Sequence, residues 1–250
     1  MDIHHISHSQ IEKYLMCPYQ YSLKYFENKV ERPSSNLVLG SAYHSALEFN
    51  FTQKIKSGFD MPLDTVLDCY ADKLDEGILE GTNLFPDWQP ELYLKDQGIG
   101  LVMCYMNTVS PSVIPIEVEK WLEVPIGDTL IQCRIDLIDE NFIVIDHKTA
   151  AKAYDQEKAD NMIQFSAEAF ALRGPIDCEV HVALKYKTPK INIVRTSRTV
   201  DDILWWRKLA GQIIKGVRAE VFPYNPNGWW CSSSYCGFYD NCKKGTTSYR

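Results

Sequence analysis

The 250-residue sequence contains no run of 18 consecutive apolar residues, so hydropathy offers no membrane span, and its first residues are polar and His-rich and do not resemble a secretory leader. The expectation is a soluble, cytoplasmic protein with no membrane association. There is no G-x4-GK[ST] phosphate loop, so no ATP-driven motor is implied, and there is neither an internal repeat nor a low-complexity tract. Positive charge is also scarce: 26 Lys and Arg stand against 33 Asp and Glu, a net charge of -7. Phosphate neutralisation by Lys and Arg supplies most non-specific nucleic-acid affinity, so this balance argues at first against such a partner.

The distribution changes that reading. Residues 60–91 hold nine acids against the single base Lys73, a local charge of -8, and the rest of the chain carries +1. The segment 180–200 has five bases, Lys185, Lys187, Lys190, Arg195 and Arg198, and no acid. One face can therefore be basic although the whole is acidic. With 45% hydrophobic residues the chain is long enough for one sizeable core, read as a single domain over 1–250.

The periodicities predict helices first. Ser9-Gln-Ile-Glu12 reads as a capping-box start of a helix running to about Tyr25, and further helices are expected over Leu39–Ile55, Pro62–Glu80 and Gln89–Thr108. In the third, Leu63, Leu67, Tyr70, Leu74 and Ile78 form an apolar stripe opposite Asp64, Asp68, Asp72 and Asp75, a solvated face. From Val113 strand patterns take over: a three-strand meander ends in "FIVIDHK", with "DEN" as the last turn. A helix follows within 157–172, then strands near Asp177–Tyr186 and Ile191–Thr199, and a long helix over Asp201–Val221. The fold class is α/β, with a central mixed sheet of about five strands flanked by helices. A helical part covers 1–112, the sheet core 113–200, and a long helix with a Cys-rich segment 201–250.

An apolar strand that ends in Asp146, His147 and Lys148 needs a reason. Strand alternation puts Gln132, Arg134 and Asp136 on one face and Ile131, Cys133, Ile135 and Leu137 on the other, while Phe142, Val144, Asp146 and Lys148 share a face of the next strand. Asp136, Asp146 and Lys148 can thus converge at neighbouring strand ends. Two hard carboxylate ligands for Mg²⁺ or Mn²⁺ and an ammonium that orients the attacking water, or offsets charge on the phosphorane, suit phosphodiester hydrolysis. The backbone carbonyl of His147 would face the same cation. A salt bridge between Asp136 and Lys148 at a sheet edge accounts for the same spacing.

The run "RIDLIDENFIVIDHKTA" resembles motifs II and III of the PD-(D/E)XK nuclease superfamily in its RecB-like branch. "CPYQY" and "LGSAYHSALE" resemble that branch's Cys-Pro and Gly-x-x-x-His elements, so the likeness spans Ser9 to Cys242. It implies a restriction-endonuclease-like core, with His44 as a further metal ligand through a neutral ring nitrogen. It also implies a site glutamine in a Gln-x-x-x-Tyr motif, here Gln164. Two positions depart from the pattern: Glu168 stands where the tyrosine is expected, and Cys133 where a glycine precedes Arg134.

Three closely spaced cysteines, Cys231, Cys236 and Cys242, with the distant Cys17, fit a four-thiolate site for zinc or iron and sulfur; zinc sites usually come as two short-spaced pairs. The branch that includes AddB and the CRISPR-associated exonucleases carries such a three-plus-one set on a four-iron four-sulfur cluster. By that resemblance the cluster ties the two ends of the chain together. Cys69, Cys104, Cys133 and Cys178 fall within predicted elements and read as core residues.

The function implied is a divalent-metal-dependent DNA exonuclease, acting on single strands or DNA ends in recombination, repair or replication and resembling small stand-alone phage or bacterial members. Recombination or replication proteins are the expected partners. The five bases of 180–200 are candidates to track the DNA backbone, and Tyr19, Tyr25, Trp205 and Trp206 to stack bases. The alternative is a non-catalytic DNA-binding scaffold with a nuclease fold. It has no need to keep mutually repelling carboxylates together, which favours the enzyme. A zinc-dependent RNA-binding module is a third reading.

Overall fold

A computed structural model describes residues 3–31, 33–80, 91–233 and 235–242. The chain begins with a short strand β1 (His5–Ser7) that leads into helices α1 (His8–Met16) and α2 (Pro18–Tyr25). The sequence reading has one helix here, starting at Ser9. The true cap is Ser7, whose side chain accepts from the Gln10 amide while the Gln10 side chain accepts from the Ser7 N–H, a reciprocal capping box. Pro18 then disfavours helical backbone at the residue before it, and Cys17 is extended (φ -159°, ψ 105°), which breaks the helix in two.

Helix α3 (Ser35–Ser57) is capped by the Ser34 side chain and stopped by Gly58 in the left-handed region (φ 79°). Helices α4 (Leu63–Leu79) and α5 (Glu91–Thr108) pack on it. The expected start of α5 at Gln89 lies outside the described residues. In α4 the stripe is centred on Val66, Tyr70 and Leu74, which are fully buried, while Asp64, Asp68 and Asp72 are exposed as expected.

The sheet strands follow: β2 (Pro115–Ile126), β3 (Thr129–Asp139) and β4 (Val144–Ala150) form the expected antiparallel meander. The turn between β3 and β4 is built by Asp139, whose Oδ1 accepts from the amides of Asn141 and Ile143. Phe142 belongs to this turn, not to the strand: it is exposed and has φ 62°. Two helices, α6 (Gln156–Asp160) and α7 (Ile163–Leu172), replace the single one expected. They lead to β5 (Ile176–Leu184), β6 (Lys190–Arg198) and the long α8 (Val200–Arg218).

The described residues thus form a six-stranded mixed sheet in the order β1-β3-β4-β5-β6, with β2 on the other edge of β3. The sixth strand is β1, too short to carry a hydropathy signal. It pairs parallel with β3 at Leu130–Gln132, whereas β4 pairs with β3 only at Leu137 and Ile138. Between those two partners one edge of β3 is left open at residues 133–136, and the fork so made is where the site lies.

Two apolar cores sandwich the sheet. One lies towards α1, α7 and α8 and contains Ile131, Cys133, Ile135, Val180, Phe165 and Trp206; the other lies towards α3, α4 and α5 and contains Leu137, Ile145, Phe51, Tyr70 and Tyr105. Ile135 and Leu137 fall in different cores, so the two-residue alternation expected along β3 breaks at Asp136, opposite Glu119 with its positive φ of 50°. Among the described residues no helix is long and apolar enough to cross a membrane.

Candidate active site

The fork places Asp136 and Asp146 where β3 and β4 separate. Past Leu137–Ile145 the strands exchange no further ladder bonds, and the His147 N–H, freed from β3, donates instead to Asp136 Oδ2 at 3.0 Å. The same oxygen lies 3.2 Å from His44 Nδ1 on α3. Burial disfavours the Asp136 carboxylate, but the His44 hydrogen bond and charge, with His147 and Lys148, outweigh it and hold its pKa well below the usual range. For His44, burial opposes protonation and the hydrogen bond and charge of Asp136 overcome it, raising the ring's pKa.

Asp146 is directed to the opposite side. It is 1% exposed, and its Oδ1 accepts from Lys148 Nζ at 2.7 Å and from Gln164 Nε2 on α7 at 2.6 Å. The Gln164 Oε1 in turn accepts from Lys148 Nζ at 3.1 Å, so the amide bridges the carboxylate and the ammonium. Burial raises the Asp146 pKa against the attraction of Lys148, and the charge of Asp136 adds to the rise. For Lys148, burial lowers the pKa, but Asp146 and Asp136 outweigh it and keep the ammonium charged. A cleft of about 440 Å³ opens over this set, lined by Gly40, His44, Glu48, Arg134, Lys148 and Thr149 among others.

A sequence model of the PD-(D/E)XK nuclease superfamily matches residues 5–243, nearly the whole length. The chain belongs to this superfamily. Among solved structures, one from Eubacterium rectale, provisionally named an exonuclease, is similar with a TM-score of 0.61 at 12% identity, covering 91% of this chain and 87% of that one. A second, SSO0001, is 15% identical over 94% of both chains with a TM-score of 0.39, too low to carry an argument. No curated protein matches the sequence.

PD-(D/E)XK nucleases typically use Mg²⁺ or Mn²⁺. Asp146 Oδ2 is buried and has no hydrogen-bond partner among the described residues, an acceptor that a hard cation suits. Among the described residues no three His, Cys, Asp or Glu side chains converge as a ready metal cage. That is compatible with Mg²⁺, which keeps several waters and needs only one or two carboxylates.

Glu168, noted in the sequence only as a departure from the Gln-x-x-x-Tyr pattern, joins this cluster, as do three residues that the sequence did not single out for it, Glu119, His8 and Glu12. Glu168, one turn after Gln164 on α7, is 1% exposed; its Oε1 accepts from Gln164 Nε2 at 2.9 Å, and burial followed by the charge of Asp146 raises its pKa well above the ordinary value. Glu119, opposite Asp136 and paired with Arg134, is pushed up to about 7 by burial and by Asp136. On α1, burial and then Lys148 lower His8 to about 4, and burial raises Glu12. The signal for the last two was the Ser7–Gln10 capping box, which puts His8 and Glu12 one turn apart at the start of a helix. Glu168 had the local signal of standing four residues after Gln164, whereas Glu119 carries none, since only the fold brings it beside Asp136.

All eight cysteines are described and none is disulfide-bonded. The C-terminal segment packs on α2 through Leu23, Cys236 and Phe238, and Gln20 Nε2 donates to Cys236 Sγ at 3.1 Å. Burial raises the Cys236 pKa, and the charges of Cys242, Cys17 and Cys231 add to it, but among the described residues the four thiols do not converge as a metal cage. Cys133 and Cys178 are core residues as expected, while Cys69 and Cys104 are half-buried.

The basic segment divides. Lys187 and Lys190 are exposed, Lys185 Nζ donates to Asn36 Oδ1 at 2.6 Å, and Arg195 is 81% exposed while donating to Glu179. Arg198 does not join that surface. It is 4% exposed, and its guanidinium donates to the carbonyls of Ala159, Asp160 and Met162, closing the end of α6. The stacking candidate Trp206 is likewise core, with no exposure, while Trp205 is about half exposed.

Proposed function

We propose that this PD-(D/E)XK protein is a divalent-metal-dependent DNA exonuclease acting on single strands or DNA ends in recombination, repair or replication. The observation that carries the reading is the joining of Asp146, Lys148 and Gln164 by three short hydrogen bonds beside Asp136 at a strand fork. When bound, Mg²⁺ or Mn²⁺ supplies Lewis acidity and an acidified water. Asp136 and Asp146 are the carboxylates to hold it, with His44 and the His147 carbonyl as further ligands. Lys148 holds a positive charge where negative charge develops on the phosphate, and Gln164 fixes its Nζ relative to Asp146.

The cleft beside His44, Arg134 and Lys148 is the route by which a phosphate reaches that set. Exposed Lys187, Lys190 and Arg195 are candidates for backbone contacts, with Lys185 near them. Cys17, Cys231, Cys236 and Cys242 are assigned to a four-iron four-sulfur cluster. The support is the packing of the C-terminal segment on α2 through Leu23, Cys236 and Phe238, with the charges of Cys17, Cys231 and Cys242 felt at Cys236. Its role is mechanical, closing the chain near both ends.

The test is degradation of end-labelled single-stranded DNA with Mn²⁺. Cleavage that EDTA stops and Mn²⁺ restores is the expected result; a protein that binds DNA but never cuts it is the scaffold. A brown preparation holding about four irons per chain supports the cluster, and a colourless, fully active one rejects it.

A further inference from the structure

A row of polar groups crosses the core between the sheet and α3–α5. His147 Nε2 lies 2.9 Å from the Tyr105 hydroxyl, and the same hydroxyl lies 2.9 Å from His181 Nδ1. His181 Nε2 lies 2.9 Å from Glu179 Oε2, and Glu179 Oε1 accepts from Arg195 Nε at 2.8 Å on the surface. Tyr105, His147 and His181 are at most 3% exposed, and Phe51 stacks on the His147 ring. Buried polar groups are costly unless paired, and each link in this row supplies the partner of the next. The Glu179 carboxylate accepts from both neighbours, so His181 Nε2 is a donor and the ring's orientation is set from the surface inwards.

The inner end of the row is what gives it a function. His147 stands where β4 has left β3, so the pairing of β3 and β4 no longer positions its peptide, while β5 still pairs with it at His181. That peptide donates to Asp136 Oδ2. We propose that Tyr105, His181 and Glu179 are positioning residues that anchor the His147 side chain and thereby hold its peptide, and Asp136, in the geometry that binds the catalytic cation. The proposal rests on the reading of Asp136 and Asp146 as metal ligands.

Calorimetric titration of the purified full chain with Mn²⁺, without DNA, tests it; Asp146→Ala identifies the site by removing the binding. Tyr105→Phe keeps the ring and deletes only the bridging oxygen, and Mn²⁺ affinity should fall by about tenfold, the scale on which partners of metal ligands act. Glu179→Gln, at the surface end, should lose less in the same direction, and it decides the matter if Tyr105→Phe does not fold. Affinity for single-stranded DNA in EDTA, read by fluorescence anisotropy, should stay at the parent's value in Tyr105→Phe, which leaves the Glu179–Arg195 pair intact. Mn²⁺ affinities within about twofold of the parent, whatever the melting temperatures do, overturn the proposal by reducing the row to internal packing. A parent that binds no Mn²⁺ overturns it together with the nuclease reading. A parent that binds Mn²⁺ and cuts no DNA rejects only the nuclease reading, and the variant affinities still decide this one.

Discussion

Asp136 and Asp146 stand on adjacent strands, yet the two sides of the sheet treat them oppositely. On the α3–α5 side, Asp136 meets the His44 ring and a backbone N–H, and these hold it ionised despite its burial. On the α7 side, Asp146 meets an ammonium and an amide, but full burial still pushes its pKa up, and one oxygen has no partner among the described residues. Strand alternation on β4 makes the division: Asp146 and Lys148 point to α7, and His147 between them points to Tyr105. One side therefore offers a carboxylate already committed to the charged state, the other a carboxylate that gains from a cation. A metal completes the second more than the first.

The largest expected effect is on the α7 side. Asp146→Ala or Lys148→Ala should lower Mn²⁺-dependent DNA degradation by about 10³-fold, the scale of losing a group aimed at developing charge, with an unchanged circular dichroism spectrum. Parent-level activity in either variant ends the assignment. On the α3 side, His44→Ala should cost about 10- to 100-fold and raise the Mn²⁺ concentration needed for half activity. If it matches Asp146→Ala, the two sides are equivalent and the contrast fails.

Stability separates the sides next. Arg198 bonds the Asn161 joint from which α7 starts, so Arg198→Ala should lower unfolding free energy by about 3 kcal/mol, as expected for several charge-assisted bonds lost from a buried site, while the salt dependence of DNA binding stays unchanged. Lys187→Ala should do the reverse, leaving the melting point alone and reducing the salt slope by just under one unit. The smallest effect concerns Glu168. Its folded pKa is raised, so its contribution to stability is complete below the unfolded value of about 4.5 and is lost as pH rises through the folded value. Glu168→Gln should therefore unfold at higher urea than the parent at pH 8, by about 1 kcal/mol, and at the same urea at pH 4. A Gln variant less stable than the parent at pH 8, with the gap closing towards pH 4, would mean that the carboxyl is ionised in the fold.

Much of this arrangement was legible locally. The runs around Asp136 and Asp146–Lys148 alternate clearly, Gly40–His44 sits on an unambiguous helix, and Gln164 follows at helical spacing. Two differences are local, at Pro18 and at the Asp139 turn, and two depend on neighbours in space, at Arg198 and Trp206. Pro18 cut the first helix, Phe142 turned out of its strand because Asp139 builds the turn, and Arg198 and Trp206, which read as surface groups for DNA, were taken into the interior by α6–α8.

What the sequence determined by itself is the identity and order of the candidate site groups: two carboxylates, a lysine, a glutamine and a histidine, each carried on an element whose periodicity is local. Only the tertiary structure decided which way each carboxylate is driven, because that depends on burial and on partners 11 to 92 residues away, such as His44 and His147 for Asp136 and Gln164 for Asp146. It alone also joined Tyr105, His181 and Glu179 into a row ending at Asp136. A hydrogen bond needs its partners within about 3 Å, and separation along the chain says nothing of that distance once β4 has parted from β3.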